Sequence, residues 1–171
     1  MRNSTLIIRK ETAADIGAID QLTRDAFLHA AHTDHTEQFI VKALRDAGAL
    51  SVSLVAEQDG ELIGHAAASP VAIGDGAPHW FGLGPVSVAP SHQQQGVGSE
   101  LIKQLLDDLR QRGAAGCVVL GEPAYYGRFG FQAHGALVLP GVPAEYFQAL
   151  AFDSALPSGN VAYHPAFDAK S

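Results

Sequence analysis

The sequence predicts a mixed α/β domain built on a mostly antiparallel sheet, and three observations point there. Short apolar and β-branched runs, broken by Asp59-Gly60 and Asp75-Gly76, fill residues 51–88 in the pattern of hairpins. Residues 97–109 then carry valine, leucine and isoleucine at helical spacing. Gly116-Cys117-Val118-Val119-Leu120, soon after, is apolar throughout, as in a strand covered on both faces. A chain of 171 residues has room for one domain with a real core and is too short for two ordinary ones. We therefore read residues 1–171 as a single domain, with a core over about 5–150 and a C-terminal strand reaching 167.

Ser4-Thr5-Leu6-Ile7-Ile8-Arg9 is rich in β-branched residues and reads as the first strand. Thr12 and Asp15 have the spacing of a capping box and open a helix with Ile16, Ile19 and Leu22 on one face. Asp34 and Glu37 repeat that signal ahead of Phe39, Ile40, Ala43 and Leu44, and Gly48 stops this second helix. Strands follow at Ser51 to Glu57 and at Glu61 to about Ile73, joined by the Asp59-Gly60 turn. Pro70 has no N–H to give a ladder, so the second arm is expected to bulge, bend or sit at an edge there. Asp75-Gly76 turns the chain into a third arm, His79 to Val88. Beyond Pro90, Val97, Leu101, Ile102, Leu105, Leu106 and Leu109 share a helix face that ends at Gly113. Strand, helix and strand in succession predict a parallel crossover into Gly116 to Leu120. Ala136-Leu137-Val138-Leu139 and Asn160-Val161-Ala162-Tyr163 read as final strands around a short helical piece, Ala144 to Leu150. We find no internal repeat, low-complexity linker or domain boundary.

Composition excludes several classes of function. A hydrophobic fraction of 47% is not that of a disordered chain. A net charge of −7 argues against a nucleic-acid binder, which needs a basic stripe. No apolar run approaches the about 20 residues that span a bilayer, so no membrane partner is expected. The stretch between Met1 and Arg9 is too short and too polar for a signal peptide, and a cytoplasmic location is expected. Cys117, the one cysteine, can make neither an internal disulfide nor a thiolate zinc site. His29, His32, Asp34 and His35 invite a metal hypothesis, but they straddle a helix end and a cap and read as a solvated cluster. No metal is expected.

The chemistry sits where the third arm runs into the long helix. Gly84-Pro85-Val86-Ser87-Val88-Ala89-Pro90 ends a strand, a polar loop crosses, and Gly96 and Gly98 stand at the mouth of the helix. Glycine lets a ligand approach the backbone, and the first N–H groups of a helix point outward with the positive end of its dipole. Together they can hold a diphosphate without a charged side chain. No Gly-Lys-Ser/Thr follows, which excludes a Walker loop, and the third glycine of a Rossmann fingerprint is missing.

Gln93-Gln94-Gln95-Gly96-Val97-Gly98 resembles the acetyl-CoA pyrophosphate loop of the GCN5-related N-acetyltransferase (GNAT) superfamily. Pro85 to Pro90 is similar to that family's splayed strand, and Ala124-Tyr125-Tyr126-Gly127-Arg128-Phe129-Gly130-Phe131 to its aromatic-Tyr-x-x-x-Gly-Phe segment. The longer string from Gly121 to Phe131 looks most like the YhbS-type branch. The resemblance implies a sheet splayed between its fourth and fifth strands, with helices on both faces. It implies acetyl-CoA as co-substrate, its pantetheine along Val86, Ser87 and Val88 and its pyrophosphate on Gln93, Gln94, Gln95, Gly96, Val97, Gly98 and Ser99. The implied reaction is acetyl transfer to a primary amine of a small molecule or protein, by direct attack in a ternary complex. Tyr126 would then be the general acid and the Val88 N–H the oxyanion donor. A non-catalytic acyl-CoA-binding sensor or partner module is the alternative.

The chain departs from the family at its glutamines, where many members carry arginine. Glutamine brings no charge, so CoA binding is expected to lean on backbone N–H groups and to depend only weakly on salt. Cys117, inside an apolar strand, needs no catalytic role. The general base is not readable. Glu37 is a candidate, though a capping box with Asp34 explains it more simply; His79 and His65 lie on strands and could face the cleft. Glu122 either lines the cleft or caps a short helix at Pro123. The late strands neither require nor exclude the homodimer common in this superfamily.

Overall fold

A computed structural model of the chain describes residues 5–30, 33, 35–152 and 155–171. Strand β1 (Leu6–Lys10) leads to Thr12, where the expected capping box forms: the Thr12 N–H donates to the Asp15 carboxylate at 2.7 Å. Arg9 grips the same carboxylate with two bonds of 2.7 and 3.1 Å and holds it well below the usual acid range. Helix α1 (Ile16–Phe27) buries Ile19 and Leu22, whereas Ile16 stays exposed. Helix α2 (Glu37–Asp46) starts differently from expectation. Its cap is Thr36, Glu37 is its first residue, and the Glu37 carboxylate accepts from the Thr33 hydroxyl at 2.6 Å. Asp34 lies outside the described residues, as do Ser4 and His32.

Strands β2 (Val52–Gln58) and β3 (Glu61–Ile73) form a hairpin through Asp59 and Gly60, both at positive φ, and β4 (Trp80–Val88) returns antiparallel to β3. Pro70 carries no bulge. Its β3 edge pairs with β2 up to Ala68 and with the C-terminal strand from Val71, so the missing N–H falls in the gap between two partners. The bulge is on β4 instead: Ala66 faces Val86 but Ala68 faces Leu83, which leaves one extra residue around Gly84-Pro85. Helix α3 (Val97–Gln111) carries the chain to β5 (Gly116–Leu120), which pairs parallel with β4 as the crossover predicts.

Alternation along β2 divides the core. Leu54 and Ala56 pack under α3 with Leu101, Ile102, Leu105 and Leu109, while Val55 between them meets Ile19 of α1 and Val41 of α2. Helices therefore cover both faces, as expected.

The helical reading of Ala144 to Leu150 fails. Only Ala144–Tyr146 makes a 3₁₀ turn. The rest is a strand of Phe147–Ala151 that pairs antiparallel with β5 from Leu120↔Phe147 to Gly116↔Ala151. Helix-forming residues yield here because β5 would otherwise present an open edge, and its buried neighbour must satisfy those groups. In chain order the late strands are β6 (Gln132–Ala133), β7 (Leu137–Val138), β8 (Phe147–Ala151) and β9 (Gly159–Tyr163). The sheet runs β1-β2-β3-β4-β5-β8-β6, with β9 on the far part of β3 and β7 on β9. Among the described residues no helix is long and apolar enough to cross a membrane.

One polar chain runs through this interior. His65 is fully buried on β3, and its Nε2 lies 2.8 Å from Ser53 Oγ. The Ser53 hydroxyl also meets Glu11, which Arg45 holds with bonds of 2.9 and 3.1 Å. Burial, opposed only in part by the Glu11 carboxylate, pushes the imidazole down from 6.5 to about 4. The folded chain thus keeps His65 neutral while the unfolded chain protonates it near 6.5, so its contribution is complete above 6.5 and drains as pH falls toward 4. Thermal unfolding between pH 7 and 4 should show this loss, at no more than about 1.4 kcal/mol per pH unit. His65→Gln should flatten the slope even if it lowers overall stability; an unchanged slope would remove His65 as its cause.

Candidate active site

Strands β4 and β5 touch only at Trp80↔Gly116, Phe81↔Cys117 and Gly82↔Val118. Beyond that point β4 stays with β3 as far as Val88↔Gly64, and β5 stays with β8 as far as Leu120↔Phe147. A wedge opens between them. Its closed end is sealed by aromatic rings where side chains are missing: a Cβ on Gly82 would collide with Tyr163, and one on Gly116 with Trp80.

The hydrogen-bond phase of β4 decides which groups face the wedge. The Ala89 N–H donates to the Ile63 carbonyl on β3 at 2.8 Å. Backbone groups alternate sides along a strand, so Ser87 likewise turns its N–H and C=O toward β3, while Val86 and Val88 turn theirs into the wedge. The Val88 carbonyl does so, accepting from Gln93 Nε2 at 3.1 Å. Ser87 is therefore not a wedge residue: its side chain is buried on the face away from α3, and its hydroxyl has no partner among the described residues.

At the far end of β4 the loop closes onto α3. Gly96 caps the helix at φ +87, and Gln94 also takes a positive φ. The first ladder bond runs from Glu100 N–H to the Gly96 carbonyl at 3.1 Å, so the N–H groups of Val97, Gly98 and Ser99 come before the ladder. Gln93 and Gln95 brace the loop itself, through the Val88 and Ser91 carbonyls. A Cβ on Gly98 would stand 3.2 Å from Tyr125 Oη and 3.6 Å from Val88 Cγ2. Helix start, strand end and aromatic segment thus converge at Gly98.

That segment is helix α4 (Pro123–Tyr126) and the turn Gly127–Phe129. Tyr126 packs edge-on against Tyr125 and Phe131, with ring centroids 5.0 and 6.0 Å away. Its ring lies so close over Gly121 that a Cβ there would collide with it. Burial pushes the phenol up to about 12, which keeps it protonated at neutral pH. Burial likewise pushes the Cys117 thiol up, as befits an inert core residue.

Sequence reasoning missed Arg128, although it stands inside the aromatic motif. Its guanidinium lies 4.5 Å over the Tyr125 ring and donates to Ser99 Oγ and the Tyr125 carbonyl, both at 3.3 Å. It has no carboxylate partner among the described residues. A cation is thereby held at the positive end of α3, against the helix dipole, where an anion would be welcome.

The other candidates separate. Glu122 precedes α4 but makes no side-chain cap bond; it lines a cavity of about 600 Å³ with Leu120, Gly121, Val142, Pro143 and Tyr146. His79 is exposed beyond the sealed end of the wedge, its carbonyl accepting from Ala115. Glu37 is engaged by Thr33, and His65 is buried on Ser53. Among the described residues no three metal-binding side chains converge.

Comparison with known proteins agrees with this geometry. Residues 16–131 match the Acetyltransferase (GNAT) family. The uncharacterised N-acetyltransferase YhbS of Escherichia coli K12 is 36% identical over 170 residues, 95% of this chain and 99% of that protein. A crystal structure of a GNAT family acetyltransferase from Brucella melitensis in complex with acetyl-CoA superposes with a TM-score of 0.86 at 49% identity, over 96% of this chain and 99% of that one. That of E. coli YhbS in complex with CoA gives 0.88 at 34% identity, over 98% and 94%. With the fold, the wedge and these likenesses in agreement, the chain belongs to the GNAT family of N-acetyltransferases.

Proposed function

We propose that the wedge holds acetyl-CoA and that the chain transfers its acetyl group to a primary amine. The observation that carries this is the convergence at Gly98 of three things the reaction needs: the free N–H groups of α3, the wedge-facing backbone of Val86 and Val88, and the aromatic segment bearing Tyr126. The diphosphate lies on the N–H groups of Val97, Gly98 and Ser99, and the pantetheine amides pair with the Val88 N–H and the Val86 carbonyl as an added strand would. Gln93 and Gln95 serve to brace the loop, and Arg128 supplies the one charge the loop lacks.

The neutral amine attacks the thioester carbonyl carbon, and a C–N bond forms. Negative charge on the carbonyl oxygen is met by a wedge-facing backbone N–H of β4. The resemblance names Val88, but Val88 abuts the diphosphate end at Gly98, which leaves the Val86 N–H, one step deeper in the wedge, for the oxyanion. When the carbonyl reforms, the C–S bond breaks and the sulfur takes the Tyr126 hydroxyl proton. The surplus proton of the amine passes to solvent, and solvent restores Tyr126. Products are an amide and free CoA. A phenol raised to about 12 by burial remains a proton donor throughout the neutral range.

Calorimetry with CoA, followed by thiol release from acetyl-CoA against a panel of amines, tests this reading. Binding with no release across a broad panel would favour the passive acyl-CoA-binding module. Tyr126→Phe should lower turnover by about 10²-fold or more while leaving CoA affinity nearly intact; unchanged turnover removes Tyr126 from the chemistry. Arg128→Gln should weaken CoA by roughly tenfold, one charge-assisted hydrogen bond, and abolish the modest salt dependence of wild type. A salt slope that survives the substitution would mean that the phosphates find their charge elsewhere.

A further inference from the structure

The β5 wall of the wedge carries a second feature that the acetyl-CoA reading does not use. Cys117 and Val119 turn into the core under α3, while Val118 turns the other way and is wholly buried beside Trp80. Leu120 continues the Val118 side yet is 47% exposed, an apolar side chain left uncovered at the end of a buried strand. Across the same cavity stand Val142, Pro143 and Tyr146, the last 40% exposed.

This surface is built rather than incidental. The Gly121 N–H donates to the Tyr146 carbonyl at 2.9 Å, and the buried Gln148 amide donates to the Gly121 carbonyl at 3.1 Å, so floor and wall are tied together. One acidic side chain lines the cavity, Glu122, with no ion pair and no cap bond among the described residues. Its helix α4 has only four residues, too short for its dipole to account for the carboxylate. Gly121 lines the cavity and at the same time underlies the Tyr126 ring, so one glycine separates this space from the phenol.

Resting on the acetyl-transfer reading above, the geometry points to this cavity as the acceptor site and to its substrate as a small monoamine with an alkyl or aryl body. Glu122 binds the ammonium form as it arrives, the ammonium loses one proton to solvent before it attacks as the neutral amine, and Leu120, Val142, Pro143 and Tyr146 take the apolar body. A polyamine would bring several cations to a single carboxylate, and a lysine within a polar peptide would leave the apolar wall uncovered. The volume of about 600 Å³ suits a molecule of this class.

The test compares 2-phenylethylamine and n-hexylamine with spermidine and a lysine-containing peptide, each with acetyl-CoA and the full chain. The monoamines should show kcat/KM at least about tenfold higher. Glu122→Gln should raise KM for the monoamines by about tenfold, and Leu120→Asn by about fivefold, with kcat and CoA affinity little changed. Equal or better use of spermidine or peptide, or unaltered monoamine KM in both variants, overturns the assignment while CoA binding leaves the reaction class standing. A chain that does not bind CoA at all overturns the reaction reading itself, and this inference with it.

Discussion

Past Gly82 the fourth strand cannot keep both of its neighbours. The extra residue around Gly84-Pro85 shifts its register, and Pro85 has no N–H to offer a strand on either side. β3 retains β4 to Val88, β8 retains β5 to Leu120, and between them the sheet is left with backbone groups that no strand pairs. Unpaired polar backbone near a core is costly unless water or a ligand satisfies it. On the proposed acetyl-CoA reading, a ligand with its own amides threaded along β4 answers that deficit, and the defect in the ladder becomes the basis of binding.

The helix start is held to this split by packing rather than by the loop. Gly64 pairs with Val88, and a Cβ on Gly64 would lie 2.8 Å from Leu101 Cδ1 and 2.9 Å from Val97 Cγ1. Helix α3 therefore rests directly on the backbone of β3 beside the end of β4. Leu101, Ile102, Leu105 and Leu109, none with measurable exposure, anchor the remainder of that face. The position of the unladdered N–H groups relative to the Val88 N–H is consequently a property of the core. The charge of the loop residues is therefore not fixed by the packing, and three uncharged glutamines can stand at this helix start.

What was legible in the sequence was local. Asp59-Gly60 specified its hairpin, and the period of α3 named its buried residues, because each signal depends on neighbours in the chain. The errors arose where a distant partner decided. Phe147 to Ala151 has the composition of a helix and becomes a strand because the open edge of β5 needs a partner. Pro70 is accommodated by a change of partner from β2 to β9, which no local rule reveals. Within the candidate site, the turn at Gly96 and the start of α3 could be read, but the phase of β4, which separates Val86 and Val88 from Ser87, could not. Arg128 lay in plain view in its motif; its meaning appears only when Ser99, 29 positions earlier, is seen to share its hydrogen bond.

Net charge proves a poor guide to such a site, and the reason is geometric. The chain carries −7 overall, yet the start of α3 and the cavity beside the end of β5 are of opposite character. At the α3 end stand Arg128 and unladdered N–H groups, positive and suited to phosphates. At the β5 end Glu122 faces an apolar wall, suited to an ammonium on a hydrophobic body. Surface charges beyond about 8–10 Å are screened at ordinary ionic strength, so each responds to its own nearest groups and hardly to the total. Tyr126 packs on Gly121, which lines that cavity, and on Tyr125, which reaches Gly98, and burial keeps it protonated. On the reading proposed here, a polarity built into one split strand pair brings an anionic cofactor and a cationic acceptor to the same phenol.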